Sequence, residues 1–107
     1  MKITIKPLSQ NEAFLGRKRK STKYREYESF LLNTLPDLAI PNGRLSVHYT
    51  FGFSNKASDI DNPIKSFQDV LQKRYSFDDK MIYRLIVDKI IVKKGEEFIE
   101  FVIESFN

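Results

Sequence analysis

The chain has 107 residues, enough for one core, and is 41% hydrophobic and 13% aromatic, which excludes a disordered polymer. It has no cysteine, which excludes a disulfide scaffold, a thiolate zinc site and a cysteine nucleophile, and its single histidine, His48, argues against chemistry that needs two. Lys plus Arg number 18 against 14 acids, a net charge of +4, and no apolar run reaches the length of a bilayer span or a secretory signal, so the expectation is one soluble, cytoplasmic domain over residues 1–107.

Lys2 to Lys6 reads as a short strand with Ile3 and Ile5 on one face. Pro7-Leu8-Ser9-Gln10-Asn11 breaks it, and a polar loop follows. Within residues 16–25, Arg17, Lys18, Arg19, Lys20, Lys23 and Arg25 supply six positive charges with no acid among them. Six from +4 leaves −2 for the rest of the chain, so the basic character is local. Such a cluster suits a polyanion, because neutralising phosphates releases condensed counterions; the plainer reading is a solvated loop that aids solubility. Phe14 and Leu15, beside it, read as packing or dimer contacts before they read as a wedge against bases.

Ser21 or Thr22 can cap a helix from about Lys23 to Leu35, whose apolar stripe is Tyr24, Tyr27, Leu31 and Leu35, and Pro36 stops it. After a Pro41-Asn42-Gly43 turn, Leu45, Val47, Tyr49, Phe51 and Phe53 alternate with Ser46, His48, Thr50 and Gly52. That period of two demands a strand with one buried face. His48 falls on the polar side and reads as structural. Asp61 or Asn62 caps a second helix that buries Ile64, Phe67, Val70 and Leu71 and ends near Arg74. Residues 82–92 and 97–105 are β-branched and aromatic runs joined by Lys93-Lys94-Gly95-Glu96 as a hairpin. The expected class is α+β, in the order β-α-β-α-β-β, with a mixed sheet.

The acids between residues 59 and 79 carry the chemical signal. If Asp59 to Asp61 is extended, the two carboxylates point the same way. Asp61, Lys65 and Asp69 are spaced by four and span roughly 80° of one helix face, away from the apolar stripe. Asp78 and Asp79 precede a strand. Converging carboxylates suit a hard divalent cation, and phosphodiester hydrolysis uses such an ion to polarise phosphate and activate water. A lysine beside them would neutralise developing charge. The plainer reading is a helix cap, an i, i+4 ion pair and a turn.

The run Asp59-x-Asp61-Asn62-x-x-Lys65-x-x-x-Asp69, with a downstream Asp78-Asp79 pair and a terminal β-hairpin, resembles the RusA-type Holliday junction resolvases. Pro7-x-Ser9-x-Asn11 is similar to that family's N-terminal element, with Leu8 where a second proline is usual. The resemblance implies a RusA-like fold and a homodimeric, Mg²⁺-dependent endonuclease, with Mn²⁺ as a substitute. Such an enzyme resolves four-way junction DNA by paired symmetric nicks in recombination and repair, and is found in bacteria and often encoded by phages or prophages.

By the same resemblance Asp59, Asp61 and Asp79 match the metal-binding acids, Lys65 the essential lysine, Asp69 a supporting acid in or near the metal's shell, and Asp78 the first acid of the pair. The basic residues from Arg17 to Arg25 fall where the family faces DNA. Neither a membrane nor a small-molecule cofactor is implied. The rival is a branched-DNA-binding module that does not cut; a third reading, a protein-interaction domain, leaves the basic loop unexplained.

Overall fold

The computed structural model describes residues 1–15 and 19–107. In chain order the strands are β1 (Lys2–Thr4), β2 (Phe14–Leu15), β3 (Arg19–Lys20), β4 (Leu45–Phe53), β5 (Ile82–Ile91) and β6 (Phe98–Ser105). The helices are α1 (Gln10–Ala13), α2 (Thr22–Thr34) and α3 (Ile64–Tyr75), with one 3₁₀ turn at Asp79–Met81.

The alternating strand β4 lies inside the main sheet, whose order is β1-β6-β4-β5. Leu45, Val47, Tyr49 and Phe51 are almost wholly buried on the helix-covered face, while Ser46, His48 and Thr50 on the other face keep partial exposure. β4 runs parallel to β5 and antiparallel to β6, and β6 runs antiparallel to β1. The class is therefore the expected α+β with a mixed sheet, closed by two C-terminal strands that run in opposite directions. Those two strands do not hydrogen-bond to each other, however, because β4 lies between them and pairs with both. A strand with one face wholly buried and apolar gains most at the centre of a sheet, where both edges of its backbone are satisfied. The short connection at residues 92–97 crosses the end of β4 instead of closing a two-stranded ladder.

Both long helices pack through the predicted stripes. α2 buries Tyr24, Tyr27 and Leu31, and its N-cap Ser21 accepts a hydrogen bond from the Tyr24 N–H at 3.0 Å. α3 buries Ser66, Phe67, Val70 and Leu71. The Phe67 ring stands edge-on to Tyr49 at 5.5 Å, Phe51 at 6.3 Å and Phe101 at 5.7 Å between centroids. Edge-to-face aromatic pairs add about 0.5–1.5 kcal/mol each beyond the area they bury. Ser66 donates to the Leu8 carbonyl at 2.7 Å, tying the N-terminal segment to α3. The neighbouring Tyr27 hydroxyl is buried without a hydrogen-bond partner among the described residues.

Two local expectations change. α3 begins at Ile64, and its N-cap is Pro63, which supplies no side-chain cap, in place of the expected Asp61 or Asn62. Residues 59–64 form successive turns: the Asn62 N–H donates to the Asp59 carbonyl, and the Ile64 N–H to the Asp61 carbonyl, both at 3.3 Å. Asp59 to Asp61 is thus not extended, and neither Asp61 nor Asn62 caps the helix. The polar loop after residue 11 is also more ordered than expected. α1 is closed by a reciprocal capping box between Ser9 and Glu12, and β2 pairs antiparallel with β3.

On the face of the sheet away from the helices, the Phe98 ring lies over Gly52. A β-carbon added at Gly52 would sit 2.3 Å from the Phe98 ring, and the Lys2 ammonium covers the same ring at 4.3 Å. Gly52→Ala is expected to cost about 1–3 kcal/mol, the usual penalty for forcing extra volume into a packed contact. Urea denaturation of the pair measures it. Restoration of stability by combining Gly52→Ala with Phe98→Leu would assign the loss to the ring contact.

Candidate functional site

Of the predicted acids and lysine, one group lies in a cleft before α3 and a second on and beside α3, and Asp61 lies in the turn between them. In the first, Asp59 lines a cleft of about 240 Å³ together with Lys6, Ser9, Glu12, Asn62 and Glu97. The Gln10 N–H donates to the Asn62 carbonyl at 3.0 Å. This backbone bond and the Ser66–Leu8 bond bring the N-terminal Pro7-x-Ser9-x-Asn11 element against the Asp59–Asn62 turn. Two segments separated by about 50 positions of chain are thereby neighbours in one wall.

Glu12 and Glu97 in this cleft are functional candidates the sequence did not single out. Burial pushes the Glu12 carboxyl up, but the Lys23 ammonium and the Ser9 hydrogen bonds outweigh it and hold it below the usual range. Glu97 is also held low, by the Ser54 hydroxyl, which donates to it at 2.7 Å, and by backbone N–H groups.

The second group lies on the exposed side of α3. Lys65 donates to Asp69 Oδ1 at 2.9 Å, one helical turn apart, as the spacing of four requires. Its pKa is raised by this hydrogen bond, against a smaller opposing effect of burial, with further support from the charges of Asp69 and Asp79. Lys65 therefore sits in the field of both acids. Asp69 also reaches inward: after burial, its charge is the next cause that pushes the Tyr24 and Tyr49 hydroxyls to higher pKa.

Gln72 completes this group, and its role was not visible in the motif. Its side-chain oxygen accepts from the Asp79 N–H at 2.9 Å, and its nitrogen approaches Asp69 Oδ1 at 3.4 Å. The available signal was its position one turn after Asp69 on the same helix. Asp78 caps the 3₁₀ turn, its Oδ1 accepting from the Lys80 N–H at 3.0 Å, so it acts locally as a turn residue.

The expected convergence of Asp59, Asp61, Asp69 and Asp79 is not present. Among the described residues no three His, Asp or Glu side chains come together to hold a metal ion. Residues 59–64 form turns, not the extended run that would have pointed the Asp59 and Asp61 carboxylates the same way. Asp69 is in addition engaged by Lys65. The donors are of the right chemistry for a hard cation, but their placement in one chain does not fit it.

The basic segment is partly occupied by internal pairs. Lys20 reaches Glu28 at 3.2 Å, and Lys23 reaches Glu12 at 3.3 Å. Arg19 and Arg25 are exposed. Arg17 and Lys18 lie outside the described residues. Phe14 packs on Tyr24 with centroids 5.4 Å apart, which fits a packing role, while Leu15 is exposed. His48 is paired with Asp88 at 2.7 Å on the polar face of the sheet, as a structural histidine would be. No helix among the described residues is long and apolar enough to cross a membrane.

A family model described as endodeoxyribonuclease RusA matches residues 5–101. No curated protein matches the chain in a sequence search.

The lowered carboxyl of Glu12 gives a pH test of the cleft. A folded-state pKa below the unfolded value of 4.5 contributes stability that is present above that value and lost as pH falls through the folded one. Glu12→Gln keeps a capping side chain but removes the charge. The wild type is expected to exceed the variant by at most about 1 kcal/mol at neutral pH, since Glu12 is partly solvated. The gap should close below pH 4.5. Urea denaturation of both proteins across that range measures it.

Proposed function

The chain belongs to the endodeoxyribonuclease RusA family, and on that premise we propose that it resolves Holliday junctions in cytoplasmic DNA as a homodimer, cutting two strands by paired symmetric nicks with Mg²⁺ as the ion and Mn²⁺ as a substitute. The observation that carries the reading is the match over residues 5–101, which spans both the N-terminal element and every acid from Asp59 to Asp79. The whole of 1–107 then acts as one catalytic unit. Mg²⁺ dependence rests on the family and on the carboxylate chemistry of the donors.

The chain's own residues have these roles in the proposal. Lys65, kept charged by Asp69 and Asp79, is the cation that faces the scissile phosphate, where an ammonium stabilises developing negative charge. Asp59, Asp61 and Asp79 are the acids on which hydrolysis depends, and Asp69 supports them while positioning Lys65. Gln72 holds the Asp79 backbone against α3. Arg17, Lys18, Arg19, Lys20, Lys23 and Arg25 contact the phosphates of the junction arms.

One observation favours a second reading. The dispersal of the acids among the described residues suits a branched-DNA-binding module that does not cut. The deciding assay uses a synthetic four-way junction and a matched duplex, each with and without Mg²⁺. Mg²⁺-dependent cutting of the junction alone supports resolution; selective binding without cutting supports the module. Neither cutting nor binding removes both readings.

The assigned roles have measurable consequences. Asp61→Asn and Lys65→Ala should each reduce junction cleavage at least 100-fold, of the order that removal of one stabilising group produces. Asp61→Asn should bind the junction in EDTA as well as wild type or better, because it carries one negative charge fewer. Gel-shift and cleavage assays on the same preparations separate the two effects. Replacing Arg19, Lys20, Lys23 and Arg25 together with alanine should weaken junction binding and flatten its salt dependence, by about 0.9 in the log–log slope for each phosphate no longer neutralised. An unchanged slope would show that these side chains do not touch DNA.

A further inference from the structure

β5 is the one long strand on an edge of the main sheet. Nine of its ten residues pair with β4 on one side, and no strand among the described residues pairs with the other. Edge strands of this length are usually protected by proline, by bulges that twist them away or by like charges that repel a second strand. β5 has no proline, and its one register shift lies at its start, opposite Leu45 and Ser46. It is also apolar: Tyr83, Leu85, Ile86, Ile90 and Ile91 are exposed, Ile86 and Ile90 each by 45%. No other element of the chain presents so many large apolar side chains to solvent among the described residues.

The charges on this edge complement themselves. Arg84 and Asp88 lie four positions apart, so both point to the same face of the sheet, the face that also carries His48 and Thr50. An antiparallel pairing of β5 with a second copy about a two-fold axis normal to the sheet keeps each face on its own side. It therefore allows only registers centred on a residue. Centring on Arg84, Asp88 or Lys89 puts a charge against its own copy. Centring on Leu85 or Val87 puts Arg84 and Asp88 against apolar positions, and centring on Ile90 carries both past the end of the partner strand.

Centring on Ile86 places Arg84 opposite the partner's Asp88 and Asp88 opposite the partner's Arg84, giving two ion pairs. It sets Leu85 opposite the partner's Val87 and Ile86 against its own copy. This centre is also near the middle of the strand, so almost all of Ile82–Ile91 would join the ladder.

Neither charged group is consumed within one chain. Asp88 meets His48 through Oδ2, which leaves its second oxygen as an acceptor. Arg84 lies over the Phe106 ring at 4.9 Å; a guanidinium stacked by its face still presents N–H donors at its edge. We propose that β5 is the homodimer interface, joining two copies edge to edge into one eight-stranded sheet in the register centred on Ile86. This inference rests on the homodimer assigned above and adds the surface, the symmetry and the register.

Sedimentation equilibrium on the full chain tests it through charge reversal. The wild type is expected to be a dimer. Arg84→Asp alone and Asp88→Arg alone should each weaken dimerisation at least tenfold, because each homodimer then carries two like-charge contacts. An equimolar mixture of the two variants should dimerise again, since both cross-strand pairs become opposite in sign, and a chain carrying both substitutions should be dimeric by itself. Thermal melts followed by circular dichroism check that each variant folds.

A monomeric wild type would remove the homodimer reading itself. A dimeric wild type whose single variants remain dimeric would overturn only the β5 interface, as would variants that dissociate but are not rescued by mixing. If a variant fails to fold, hydrogen exchange on the wild type decides. The β5 amides not bonded to β4 should gain protection as concentration carries the protein from monomer to dimer. Unprotected amides in the dimer would overturn the proposal.

Discussion

The packing of Phe67 onto the buried face of β4 is the contact on which the rest of the molecule depends. Tyr49, Phe51 and Phe101 surround that ring, and together they lock α3 across the sheet. Once Phe67, Val70 and Leu71 are committed to the core, helical periodicity turns Lys65 and Asp69 toward the opposite side. The polar arrangement of the site is a consequence of where the apolar residues must go. A change at Phe67 would therefore move the candidate site without touching any of its charges.

A second constraint comes from the backbone before α3. The turns at residues 59–64 use the carbonyls of Asp59 and Asp61 as acceptors, and the Asn62 carbonyl accepts from Gln10. With Ser66 bonded to Leu8, the N-terminal segment becomes a strap across the start of the helix. It gives the Asp59 cleft its far wall and brings Glu12 and its partner Lys23 into the same neighbourhood as the acids. A residue of the basic segment, Lys23, and an acid of the cleft, Glu12, are thus electrostatically joined. Binding of phosphate by Lys23 would compete with its pairing to Glu12.

The electrostatics of α3 are similarly balanced. Lys65 is stabilised as a cation by Asp69 and Asp79, and both acids are in turn positioned through Gln72. A lysine kept charged at the edge of an acidic group can meet an incoming phosphate without a change of protonation. The unpaired edge of β5 lies on the far side of β4 from β6, so a second copy seated there would leave both β1 and β6 undisturbed.

Much of this was determined by the amino-acid sequence alone. The bounds of β4 follow from its strict alternation, the two long helices from their apolar stripes, and the Lys65–Asp69 pair from a spacing of four; these signals are local and periodic, and neighbouring residues suffice to express them. The pairing of Lys20 and Lys23 with Glu28 and Glu12, the turns at residues 59–64 that hold Asp59 and Asp61, and the part played by Gln72 were decided only by tertiary structure. Each depends on which distant segment occupies the adjacent space: Gln10 beside Asn62, Leu8 beside Ser66, Asp79 beside Gln72. The order of the last strands was decided in the same way. Local pattern marks residues 82–91 and 98–105 as strands joined by a short turn, but only the demand of β4 for a partner on both edges places them on either side of it.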